Sequence, residues 1–186
     1  ALDGLDLTAT VESSVEETQP LDSLAGGVFV GRQREMGELK ACLEDALSGR
    51  GRLVTLVGEP GIGKTRTAQE LAVLAERRGA QVLWGWCYEE EGAPPYWPWV
   101  QVIREYVREQ NSSTLHADMG VGASDIAGIV PDVGDKLTGL PHSPALEPQQ
   151  ARFRLFDSIA AFLKTASQRQ PLVLVLDDKP RLVAAE

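Results

Sequence analysis

The chain has 186 residues and a mass of 20.1 kDa, enough for one domain with a core, and 43% hydrophobic residues with a mean hydropathy of −0.14 are ordinary for a soluble globular protein. With 18 Lys and Arg against 27 Asp and Glu the net charge is −9, which excludes a broad basic surface and with it direct nucleic-acid contact by this segment. Two cysteines without metal or redox spacing, no apolar run near the ~18 residues of a membrane span and no basic-then-apolar start lead one to expect no membrane contact and a cytoplasmic location.

Residues 1–27 are acidic and rich in small residues, and close on Gly26-Gly27. They read as a linker or the edge of an upstream domain, because too few large apolar groups are present to offset the entropy of ordering them. The first residue is alanine, so an excerpt of a longer chain is expected. After Phe29-Val30-Gly31-Arg32, the apolar positions Met36, Leu39, Leu43, Ala46 and Leu47 recur at helical spacing and predict a helix that ends near Gly49.

Residues 52–57 are nearly continuous apolar sequence, as in a parallel strand covered on both faces. A glycine-rich turn follows, and then a helix with Ala68, Leu71, Ala72 and Ala75 on one side and Gly79 as its stop. Residues 82–87 predict the next strand, Gly92-Ala93-Pro94-Pro95 a turn, and residues 97–108 a helix that turns Val100, Ile103 and Val107 inward. Residues 110–148 carry glycines, prolines and scattered apolar groups, and read as a loop-rich insertion with one short helix over 125–130. Phe153, Phe156, Ile159, Ala160 and Leu163 mark a helix over 149–168, and residues 171–178 are a buried strand ending in Asp177-Asp178.

The turn from Gly58 to Thr65, Gly-Glu-Pro-Gly-Ile-Gly-Lys-Thr, is a phosphate-binding loop in its strand-loop-helix setting. Glycines at 58, 61 and 63 leave no side chain between main chain and ligand, so successive N–H groups can face an anion. Lys64 is a poor choice for the first turn of an isolated helix, where it meets the positive end of the dipole, and so implies a larger negative charge opposite it. Gly58, Pro60, Gly61, Ile62, Gly63, Lys64 and Thr65 are the candidate nucleotide contacts, with the Thr65 hydroxyl a ligand for Mg²⁺. Asp177 is the second Mg²⁺ candidate, at the strand edge where open α/β sheets bind ligands. Asp178 stands where active ATPases often carry a water-polarising glutamate; a capping carboxylate is the alternative.

Trp84, Trp86, Tyr88, Tyr96, Trp97 and Trp99 form an aromatic cluster that could stack a base, but without interleaved basic residues core and strand-edge packing is the favoured reading. His116 and His142 stand alone, and neither metal binding nor catalysis is indicated for them.

Taken together, Phe29-Val30-Gly31-Arg32 with Glu35, residues 58–65, Gly85-Trp86-Cys87-Tyr88 with Pro95-Tyr96-Trp97-Pro98-Trp99, and Leu174-Val175-Leu176-Asp177-Asp178 resemble the AAA-type ATPase domain of the signal-transduction (STAND) class. That domain is found in LuxR-type transcription regulators and beside class III nucleotide cyclases. The resemblance covers residues 28–178. It implies an α/β fold of the P-loop NTPase kind, three-layer α/β/α with a parallel sheet, and a slow ATP-dependent switch whose nucleotide controls assembly and output of attached signalling domains. It also implies that Val30, Gly31 and Arg32 contact adenine, that Gly61 to Thr65 hold the phosphates, and that Asp177 meets the Mg²⁺ water shell. In that family a further strand follows the acid pair and inserts between the loop strand and the acid-bearing strand, whereas residues 179–186 here depart from the family pattern. An incomplete sheet is therefore expected, or else direct pairing of strands 52–57 and 171–178.

The resulting expectation is an ATP/Mg²⁺-binding domain over residues 28–178, between the linker 1–27 and a tail 179–186, with ATP or ADP and fused or partner signalling domains as its partners and assembly that depends on nucleotide. Hydrolysis is expected to be slow, since no arginine finger or sensor is identified. A turnover ATPase or phosphotransferase and a fragment that binds no nucleotide are the alternatives.

Overall fold

Two apolar runs far apart in sequence, Gln81–Cys87 and Leu172–Asp178, form strands β1 and β2 of a computed structural model that describes residues 32–87, 94–141 and 146–178. The expectations for residues 1–27, for Phe29, Val30 and Gly31, for Tyr88, for the turn at Gly92-Ala93, for His142 and for residues 179–186 lie outside the described residues. The strands pair in parallel, in register from Gln81 opposite Leu172 to Cys87 opposite Asp178. A parallel pair needs a long crossover, and among the described residues it contains five α-helices: α3 Trp97–Glu109, α4 Ser112–Met119, α5 Ala123–Ala127, α6 Pro131–Lys136 and α7 Pro148–Arg169. Ahead of β1 come α1 Gln33–Leu47 and α2 Lys64–Arg77.

Side chains alternate across each strand, so the two faces of the pair bury different helices. Leu83, Leu172 and Leu174 pack with Val100, Ile103 and Val107 of α3 and Phe162 of α7. Val82 and Val173 turn the other way, onto Leu71, Leu74 and Ala75 of α2, with Leu43 of α1 in the same cluster. At Gly85 the backbone of α3 comes so near that a Cβ would stand 2.5 Å from the Pro98 carbonyl oxygen. The outer edge of β1 is also satisfied by α3: Glu105 accepts from Trp84 N–H at 3.1 Å, and Gln101 Nε2 donates to the Trp86 carbonyl at 3.0 Å.

The strand expected over residues 52–57 is not formed. Residues 51–59 belong to no strand, and Leu53 and Val57 are 95% and 89% exposed. A cavity of about 740 Å³ separates this segment from β2, lined by Leu53, Val54 and Leu56 on one side and by Val173 and Val175 on the other. A strand exists only as one side of a hydrogen-bonded ladder, and these two apolar runs do not pair with each other. Among the described residues the sheet is therefore the β1–β2 pair, with helices on both faces but without the full parallel sheet of a three-layer fold.

Residues 110–141 also depart from expectation. In place of a loop-rich insertion they form α4, a 3₁₀ turn over Gly120–Gly122, α5 and α6, which bury Leu115, Met119, Ile126, Val130 and Val133 against α3 and α7. The Asn111 side chain caps α4 by accepting from Thr114 N–H at 2.9 Å. Charged pairs fasten this layer: Arg104 to Asp132 at 2.9 Å, Arg154 to Asp125 at 2.6 Å, and Arg169 to the buried Asp118, which also accepts from the Tyr106 hydroxyl. Asp118 is 5% exposed, so its two partners are what make its burial tolerable. No helix among the described residues is long and apolar enough to cross a membrane.

Two stability measurements follow from this packing. A Gly85→Ala chain should lose about 1–3 kcal/mol in urea unfolding, since the new methyl meets the Pro98 backbone and, at 2.9 Å, the Leu176 side chain. Burial, with the hydrogen bond to Asp118 and its charge, raises the Tyr106 hydroxyl to about 12. A raised acid stabilises the fold below its unfolded value of about 10 and loses that contribution as pH climbs through the folded value. The difference in unfolding free energy between wild type and Tyr106→Phe should therefore stay flat up to about pH 10 and narrow from there toward 12.

Candidate functional site

The glycine turn leads straight into α2, whose first residue is Lys64. Gly61 and Gly63 take φ of +78° and +92°, the left-handed region open to glycine at little cost, and Gly63 is the N-cap. These two reversals fold the loop over the end of α2, whose first turn carries no acidic residue to cancel the positive pole. Lys64 Nζ bends back over the loop and donates to the carbonyls of Gly58 at 3.0 Å and Glu59 at 3.2 Å, while Ile62 N–H donates to Glu59 O at 3.3 Å. Pro60 lies on the exposed outer side, and a Cβ at Gly58 would already touch Ile62 Cγ2 at 3.0 Å.

Thr65 Oγ1 donates to Asp177 Oδ2 at 2.6 Å, which joins the loop to the tip of β2 across 112 positions of sequence. The other carboxylate oxygen accepts from Asp178 N–H at 3.0 Å. Strand alternation puts Asp177 on the α2 face with Val173 and Val175, and gives the opposite face to Asp178, which is exposed. Trp86 stands opposite Asp177 in register, and its ring stacks on Trp84 at 5.2 Å. Cys87 closes β1 beside the acids; burial first, and then the charges of Asp178 and Asp177, push its thiol up.

Arg32 has φ of +53° and is the N-cap of α1. Its guanidinium reaches the loop, with Nη1 donating to Thr67 Oγ1 at 3.1 Å and Nη2 to the Ile62 carbonyl. Thr67, in the first turn of α2, is fully buried, and its hydroxyl donates to the Gly63 carbonyl at 2.9 Å. The motif reading did not include Thr67. Its one sequence signal is a β-branched hydroxyl where the helix's buried stripe begins, next to Ala68.

The structure thus brings Arg32, residues 58–65 and Asp177 together at one end of β2, with Asp178 beside them on the other face. Of the remaining candidates, Trp97 and Trp99 pack against the α3–α7 core, Tyr96 meets Phe156 edge-on at 5.5 Å, and His116 is exposed on α4. Val30, Gly31, Tyr88 and His142 lie outside the described residues. No cluster of three or more metal-ligating side chains occurs among the described residues.

A family model described as the AAA ATPase domain matches residues 28–182. This chain belongs to the AAA ATPase domain family. No curated protein and no solved structure matches it. Membership makes the matched region a P-loop domain of the nucleotide-binding kind, and this AAA domain brings the glycine loop, Lys64 and the Thr65–Asp177 contact together at one end of β2.

Gly63→Ala would put a Cβ on a left-handed residue, and should lower stability in urea by about 1–2 kcal/mol.

Proposed function

We propose that this AAA domain binds ATP with Mg²⁺ and works as a slow nucleotide switch of the signal-transduction class within a larger signalling or transcription-regulatory protein. The observation that carries the reading is the 2.6 Å contact of Thr65 Oγ1 with Asp177 Oδ2, beside the Lys64 ammonium and the start of α2. A hydroxyl and a carboxylate oxygen at that spacing are hard donors of the kind Mg²⁺ takes, so the residues present fit the ion. Thr65 and Asp177 would hold it, Asp177 through its water shell, and bound ATP would supply the anhydride bond whose cleavage resets a switch.

The chain's own residues divide the remaining work. Amides of residues 61–65 donate to the phosphate oxygens at the positive end of α2, with Ile62 N–H exchanging the Glu59 carbonyl and Lys64 its two loop carbonyls for them. Val30, Gly31 and Arg32 are assigned to the adenine side. Asp178 is assigned the role of orienting water; as a shorter acid than glutamate it reaches less far, which agrees with slow hydrolysis. The same reading assigns the apolar segment 52–57 to a fuller parallel sheet of the three-layer α/β/α kind, ADP as the reset ligand, attached signalling domains and nucleotide-dependent assembly as the output, and the cytoplasm as the setting.

Equilibrium titration with ATP and ADP, with and without Mg²⁺, tests this. Wild type should bind in the micromolar range with Mg²⁺, Lys64→Ala should lose at least about 100-fold, and Asp177→Asn should bind equally with and without the ion. No binding by a folded wild-type chain would refute the reading. Steady hydrolysis at about 1 per second or faster would mark a turnover ATPase and not a switch.

A further inference from the structure

We infer that Arg32 and Thr67 form a clamp that holds the phosphate loop in its anion-accepting conformation from behind, so that Arg32 is a positioning residue for the phosphates whatever it does for the base. The inference rests on the nucleotide-binding reading above. A loop can present N–H groups to an anion only if its carbonyls point elsewhere, because a carbonyl oxygen turned inward would repel the phosphate. The Ile62 carbonyl is held by a side chain, and the Gly63 carbonyl, which already accepts the first helical bond of α2 from Thr67 N–H at 3.0 Å, takes a second bond from a side chain. Arg32 Nη2 donates to Ile62 O, Arg32 Nη1 donates to Thr67 Oγ1 at 3.1 Å, and Thr67 Oγ1 donates onward to Gly63 O at 2.9 Å.

The connection has two branches from one cation, one direct to the Ile62 carbonyl and one through Thr67 to the Gly63 carbonyl, and they end on the two peptide groups flanking the Gly63 reversal. Each donor is polarised by the one before it. Thr67 is fully buried, so its hydroxyl has no water to turn to and its orientation is set by Arg32 and Gly63. Arg32, at φ +53° where α1 begins, reaches Thr67 of α2, 35 positions away in sequence. Nη2 would stand 3.9 Å from a Cβ at Gly63, so the cation lies against the glycine turn. A planar fork serves both acceptors with separate nitrogens held in a fixed geometry, Nη2 for the Ile62 carbonyl and Nη1 for Thr67 Oγ1, which a freely rotating ammonium does not fix.

The test uses inorganic tripolyphosphate, which has no base, alongside Mg-ATP. Arg32→Gln and Thr67→Val should each weaken both ligands by about tenfold, the double variant should be no weaker than the singles, and Thr67→Ser, which keeps the hydroxyl, should bind like wild type. Equal urea midpoints for Thr67→Val and Thr67→Ser would separate positioning from a loss of fold. Tripolyphosphate binding unchanged in Arg32→Gln while ATP weakens would overturn the clamp and leave Arg32 with the base alone. Hydrogen exchange without ligand supplies an independent reading: the Thr67 amide, bonded to Gly63 O at 3.0 Å, and the Ile62 amide should exchange about tenfold faster in Arg32→Gln. Faster exchange in a chain whose wild type binds neither ligand would uphold the clamp and reject the nucleotide reading; unchanged exchange would reject the clamp.

Discussion

The register of one parallel strand pair decides whether this domain has a site at all. Gln81 opposite Leu172 fixes Trp86 opposite Asp177, and the period of two then turns Asp177 toward α2 and Thr65. A slip of β2 by one residue would turn Asp178 to that face and send Asp177 to the α3 side, with Leu172 and Leu174 moved out of the core they share with Leu83. The apolar contacts on the two faces are therefore also what aims the carboxylate. Phe162 and Leu83, both fully buried, contribute to the site without coming near it.

The helical layer between the strands serves the same end. A parallel pair cannot be closed by a tight turn, and the connection from β1 to β2 must return over the sheet. Here it also covers the edge of β1 through Glu105 and Gln101 and buries a core of its own around Ile126 and Val133. The Tyr106–Asp118–Arg169 cluster joins α3, α4 and α7 where a buried carboxylate would otherwise be costly.

Much of this was legible in the sequence, and the parts that were not share a physical cause. The long helices announced themselves by stripes such as Met36, Leu39 and Leu43, and the turn by its spaced glycines before Lys64-Thr65, two of which, Gly61 and Gly63, do adopt positive φ. β1 and β2 fall within a residue of expectation because each is a dense apolar run that also finds a partner. Residues 52–57 have the same composition and no partner, and composition cannot show whether the other half of a ladder is present. The helices of residues 110–141 are five to eight residues long, too short for a stripe to repeat, and are held by tertiary burial and not by local preference. Thr67 escaped because its partner Arg32 is 35 positions away.

The phosphate loop keeps its shape although the segment leading into it joins no strand ladder among the described residues. A strand normally feeds such a loop and anchors its first residues, yet Leu53 and Val57 are largely exposed here. What holds the loop comes from its other side: Lys64 on the Gly58 and Glu59 carbonyls, Arg32 on Ile62, Thr67 on Gly63, and Thr65 on Asp177. Three of those four anchors are residues 64, 65 and 67, the opening turn of one helix, and α2 is in turn seated on Val82 and Val173 through Leu71, Leu74 and Ala75. The cradle is thus built from the helix backward, and the free edge of β2 borders a cavity without loosening the acid at its tip, because the Asp177 carboxylate is fixed by Thr65 on one oxygen and by the Asp178 amide on the other.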